Sequence, residues 1–96
     1  MSFRVIIRKR AEEHIQEAFS WYEQQKKGLS DDFLMCFESA LHIIEINPLL
    51  FQRKYRNIRS AMISRFPYGI FYFTEKQVII VIAVFHLSRN PRLWGR

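Results

Sequence analysis

The sequence is poor in residues that cross-link or interrupt a chain. Cys36 is the only cysteine in 96 residues, so no disulfide can close within the chain and no cysteine cluster has zinc-ligand spacing. A reducing compartment is the expectation. Only three glycines are present, Gly28, Gly69 and Gly95, and no Gly/Pro/Ser-rich linker, repeat or low-complexity tract breaks the chain. Residues 1–96 are therefore expected to form one domain, since two cores at this length would each be too small to fold unaided. Long apolar runs are missing too. The longest, Val78 to Phe85, is far short of the roughly 20 residues that span a bilayer, and Val5-Ile6-Ile7 is too short for a signal-peptide core. The expected location is the cytoplasm, with no membrane partner.

Several kinds of chemistry lack their residues. There is no Gly-rich phosphate loop, no His-Glu-x-x-His and no serine-centred elbow. His14 and His42 have no acidic or cysteine partner at metal spacing, so neither metal nor cofactor is expected. Acidic residues are also nearly absent from one half of the chain. Up to Pro48 there are six Lys and Arg against eight Asp and Glu, net −2; beyond it there are nine against one, net +8. All of the formal charge of +6 thus originates after Pro48, a field suited to a polyanion or an acidic protein segment.

A hydrophobic fraction of 49%, with nine Phe, four Tyr and two Trp, is enough to close a core. Phe3, Val5 and Ile7 alternate as in a short strand. From Ala11 to Gln25, Ala11, Ile15, Ala18, Phe19 and Tyr22 recur at helical spacing, and Lys26-Lys27-Gly28 supplies a stop. Ser30-Asp31-Asp32 then offers caps for a second helix carrying Phe33, Leu34, Phe37, Leu41 and Ile44, which Asn47-Pro48 ends. Two helices joined so tightly should pack as an antiparallel hairpin, with Cys36 as a small buried hydrophobe. Strands are predicted at Arg56 to Ser64, Gly69 to Thr74 and Val78 to Phe85, the last two joined by a turn at Glu75-Lys76-Gln77. The continuous apolar run of the last strand predicts a central position, covered on both faces. The class is α+β, in the order β-α-α-β-β-β, with the hairpin on a small, mainly antiparallel sheet.

Candidate binding residues for a nucleic acid or another target are Arg53, Lys54, Arg56, Arg59, Arg89, Arg92 and Trp94, with Tyr55, Tyr68 and Tyr72 interleaved. Arginines grip phosphates bidentately and aromatic faces stack bases, although strand aromatics are more often core. His86, where the apolar strand gives way to a polar tail, is the best single acid/base candidate, its charged form disfavoured by nearby arginines. A strand-terminal histidine that merely hydrogen-bonds the tail is at least as frequent.

Three stretches carry a resemblance. Asn47-Pro48 after the second helix, Arg65-Phe66-Pro67-Tyr68-Gly69-Ile70-Phe71-Tyr72, and Ile82-Ala83-Val84-Phe85-His86-Leu87-Ser88-Arg89-Asn90-Pro91-Arg92-Leu93-Trp94 make the chain similar to the RelE/ParE toxin superfamily. The resemblance implies the toxin of a type II toxin–antitoxin pair, bound by a cognate antitoxin with an acidic wrapping segment, and reaching operator DNA only through that complex. RelE-like members cut mRNA on the ribosome without a metal, which would cast His86, Arg65 and Tyr72 as catalytic. ParE-like members poison DNA gyrase instead. Many RNA-cutting relatives have an arginine where this chain has Gly69, and the tail from His86 to Trp94 looks ParE-like. The ParE-like branch is favoured on this resemblance. A ribosome-dependent mRNA endonuclease and an inactive, partner-binding member are the alternatives.

Overall fold

The computed structural model describes residues 3–88, so Arg89, Arg92 and Trp94 lie outside the described residues. The chain runs β1 (Arg4–Ile7), α1 (Lys9–Gln25), α2 (Leu29–Ile46), β2 (Arg53–Tyr55), β3 (Ile58–Met62), β4 (Tyr68–Glu75) and β5 (Val78–His86). The five strands form one sheet in the order β1-β5-β4-β3-β2, parallel between β1 and β5 and antiparallel elsewhere. The α+β class and the hairpin on a mainly antiparallel sheet are as expected. The strand read as Arg56 to Ser64 is shorter, and a further strand, β2, precedes it. A turn at Arg56-Asn57 folds β2 back onto β3, with Arg56 in the left-handed region at φ 52°.

α1 buries Ala11, Ala18 and Tyr22 on one stripe, and α2 buries Phe33, Phe37, Ala40 and Ile44. They meet the sheet face formed by Ala61, Ile70, Tyr72, Ile79, Val81 and Val84. Rings interlock where the helices meet the β3–β4 connection. Phe33 lies 5.4 Å from Tyr22, 5.3 Å from Phe66 and 5.4 Å from Tyr68 between centroids. The expected Ser30-Asp31-Asp32 cap is not the one used. Gly28, at φ 88°, caps α2, a conformation that costs glycine little because it has no Cβ. Ser30 is instead buried in the first turn and donates its hydroxyl to Glu23 Oε1 at 2.5 Å, tying the two helices together. Cys36 is half-buried against the core.

β5 is central, as its composition implied, but its second face is only half-buried. Phe71 pairs with Ala83 whereas Tyr72 pairs with Val81, so Ile82 is an extra residue, a bulge. The bulge reverses which positions face the helices: Ile79 and Val81 before it, Val84 after it. β1 ends at Ile7, opposite Val81, and α1 lies along the remaining edge of β5. There the Val84 N–H donates to His14 Nδ1 at 3.1 Å, and the His14 ring lies 4.8 Å from Phe85. Among the described residues no helix is long and apolar enough to cross a membrane.

Accepting from Val84 requires an unprotonated Nδ1. Burial, and then Arg10, push the His14 pKa below its ordinary 6.5, while Glu17 and Glu13 oppose the shift. A folded-state value below the unfolded one means that this stabilisation is complete above 6.5 and drains away as pH falls below it. His14→Leu should therefore be less stable than the parent at pH 7.5, by about 1–3 kcal/mol for an orphaned amide, with the gap shrinking by pH 5. Urea denaturation at both pH values reads this; an unchanged gap would contradict it.

Candidate functional site

The sheet face away from the helices holds a cleft of about 710 Å³, lined by Phe51, Gln52, Lys54, Tyr55, Ser60, Met62, Phe71 and Leu87. Its floor is apolar because both faces of β4 carry large hydrophobics: Ile70 and Tyr72 point to the core, and the buried Phe71 points the other way. Its rim is basic. Arg53, Lys54 and Arg56 are all exposed on or beside the edge strand β2, and the Arg56 guanidinium lies 5.3 Å from the centre of the Tyr55 ring. Of these three expected binding residues Lys54 lines the cleft, while Arg53, next to it on the strand and paired with Arg59, alternates to the opposite face, and Arg56 lies in the turn beyond.

Arg59 and Tyr72 are used differently. They are cross-strand partners and both reach the segment after α2. Arg59 Nη1 donates to the Phe51 carbonyl at 2.6 Å and to that of Leu49 at 3.4 Å, while the Tyr72 hydroxyl donates to the Pro48 carbonyl at 2.5 Å. Tyr72 is fully buried. Burial pushes its pKa up to about 12, with Arg59 pulling the other way, so the hydroxyl stays protonated at neutral pH as a fixed donor. A buried phenol committed to a backbone carbonyl is poorly placed to activate a ribose hydroxyl.

His86 and Arg65 lie at the other end of the sheet. His86 pairs with Tyr68, four residues along β4 from Tyr72, or roughly 13 Å at about 3.3 Å per residue. Its ring packs edge-on against Tyr68 at 5.2 Å, and its Nδ1 accepts from the Ser88 N–H at 3.2 Å. Arg65 is exposed in the β3–β4 turn at φ 72°, with Nη2 4.0 Å from Asp32 Oδ2. The fold therefore brings His86 and Arg65 to one end, keeps the β2 cations at the other, and withdraws Tyr72 into the core. Among the described residues no cluster of three or more His, Cys, Asp or Glu can hold a metal.

Gly69 faces the cleft side, opposite Met62 and Phe85. A Cβ there would meet Ser60 Oγ at 3.0 Å, Leu87 Cδ2 at 3.2 Å and Phe71 Cε1 at 3.2 Å. A side chain at this position is therefore crowded, and these three neighbouring side chains would each have to give by a few tenths of an ångström. Gly69→Arg is expected to cost about 1–3 kcal/mol through overpacking and to confer no RNA cleavage. Thermal melts and transcript-end mapping would check both halves, and a stable variant that cuts RNA would refute them.

Sequence reasoning missed the cleft's apolar lining, Phe51, Met62, Phe71 and Leu87. The available signal was that β4 carries large hydrophobics on both alternating sets, which a sheet covered on one face does not need. It also missed His14 as a backbone acceptor, which no local pattern announces.

The model of the ParE toxin of type II toxin-antitoxin system, parDE, matches residues 5–91. Among solved structures, the fold is similar to a chain described as the chromosomal ParDE TA system from P. aeruginosa, with a TM-score of 0.68, 9% identity, and coverage of 88% of this chain and 95% of that one. At that identity the likeness concerns fold alone. No curated protein matches. A family match over nearly the whole chain, on a strand, helical hairpin and antiparallel sheet in the expected order, places this chain in the ParE toxin family of type II toxin–antitoxin systems.

Proposed function

We propose that the chain arrests growth by binding DNA gyrase and not by cutting RNA. The observation that carries this reading is the use of Arg59 and Tyr72: both clamp the segment after α2, and neither is presented to a substrate. The crowding at Gly69 and the distance between His86 and the β2 cations support it. The family implies an antitoxin partner. An apolar cleft lined by Lys54, with Arg53 and Arg56 exposed nearby in the chain, suits an acidic segment with an apolar anchor.

Purified protein should inhibit supercoiling by gyrase, and induced cells should show DNA damage signalling with intact transcripts. Unchanged gyrase activity at saturating protein would refute the proposal. The second reading, a ribosome-dependent mRNA endonuclease, rests on His86, whose Nδ1 accepts from the Ser88 N–H and leaves Nε2 as a hydrogen-bond donor. Codon-linked transcript ends that vanish in His86→Gln would favour it. An absence of any growth defect would favour a purely partner-binding member.

A further inference from the structure

α2 is apolar on two sides. Phe33, Phe37, Ala40 and Ile44 face the core, yet Met35, Ile43 and Ile46 recur at helical spacing on the outer side, 66%, 48% and 69% exposed. Leu49 and Leu50, just past the helix end, are exposed as well. The outer side of α2 is grooved: two clefts of about 220 and 480 Å³ share Met35 and Ser39, and Ser64 and Arg65 wall one of them. Its charge is opposite to that of the protein. α2 carries Asp31, Asp32, Glu38 and Glu45 and no lysine or arginine, in a chain of net charge +6. Among the described residues Arg65 is the one lysine or arginine lining either cleft, and it faces Asp32, while His42 in the other cleft lies 3.9 Å from Glu45.

We propose that this outer face of α2 docks a basic amphipathic helix of a protein partner other than the antitoxin. An apolar stripe at helical spacing takes the apolar anchors of a facing helix, and the carboxylates around it select lysine and arginine between those anchors. An acidic antitoxin segment is repelled here and drawn to the β2 rim on the other side of the sheet. A second copy docking α2 on α2 would oppose Glu38 and Glu45 with further carboxylates. The two surfaces thus sort partners by charge. In extending the toxin reading, the proposal makes α2 the side turned to the target.

The test uses the whole chain and a synthetic helix with leucines at i, i+4, i+7 and i+11 and lysines between, followed by fluorescence anisotropy. The helix is expected to saturate, and Ile46→Lys and Glu38→Lys, both at exposed positions, to weaken it about tenfold or more, while Lys54→Glu changes it by less than about twofold. The proposal is overturned if a scrambled peptide of equal charge binds as well, if the two α2 variants bind normally, or if an all-glutamate version of the helix competes. It also falls if light scattering shows Ile46→Lys splitting a dimer, since the occupant is then a second copy. In cells, both variants should lose growth arrest while still co-purifying with the antitoxin. Failure of the parent chain itself to arrest growth would refute the toxin reading and leave the peptide result standing.

Discussion

Phe33→Ala is expected to lower stability by about 3–5 kcal/mol, most of what a domain of this size holds in reserve. Phe33 is completely buried and meets three rings: Tyr22 stacks on it while Phe66 and Tyr68 meet it edge-on. These partners come from α1, the β3–β4 connection and β4, so one truncation loosens the helices from the sheet. Collapse into the void is hindered because two of the neighbours are tyrosines whose hydroxyls resist apolar surroundings. Urea titration gives the size of the effect, and Met35→Ala on the exposed side of the same helix should change stability by no more than about 0.5 kcal/mol. Similar losses at both positions would mean that the helical hairpin does not pack this way.

The second large effect concerns the segment from Pro48 to Phe51. Arg59→Ala removes a charged donor from two carbonyls, a loss of about 1.5–3 kcal/mol, and Tyr72→Phe strands a buried carbonyl, a loss of about 1–3 kcal/mol. Both clamps hold the same stretch, so either loss slackens the other. The double variant should depart from additivity by roughly 0.5–3 kcal/mol. Phe51 lines the cleft, so the same variants should weaken antitoxin binding beyond what their stability loss predicts. Additivity within about 0.3 kcal/mol would show that the two side chains act independently.

The helices were legible because each buries one stripe, and a 3.6-residue period survives in the order of residues from Ala11 to Tyr22 and from Phe33 to Ile44. β5 was legible as central from its composition. β2 was not, since Arg53, Lys54 and Tyr55 are all exposed and an edge strand needs no alternation. The bulge at Ile82 was hidden for the opposite reason: in an unbroken apolar run, a change in which side faces the core leaves no trace. At the candidate site, residue types suggested chemistry that geometry reassigns. Arg59 has the character of a target-binding group and Tyr72 of a catalytic one, and only the path of the chain after Pro48 reveals that carbonyls occupy them. Gly69 is the converse case, where the glycine in place of an arginine corresponds to a crowded position between Ser60, Phe71 and Leu87.

The parallel pairing of Arg4, Val5, Ile6 and Ile7 with Val78, Ile79, Ile80 and Val81 sets the first strand beside the fifth at one edge of the sheet, across more than seventy residues of sequence. During synthesis the first strand therefore waits, with its hydrogen-bonding groups in water, until the strand that begins at Val78 has been made. Long-range pairing of this kind is slow because loop closure precedes any contact that rewards it. The helical hairpin can form early from local contacts, but the basic rim and the cleft exist only after the last strand has inserted between the first and the fourth. The outer face of α2 is thus complete before the cleft is, and the two surfaces become available in that order.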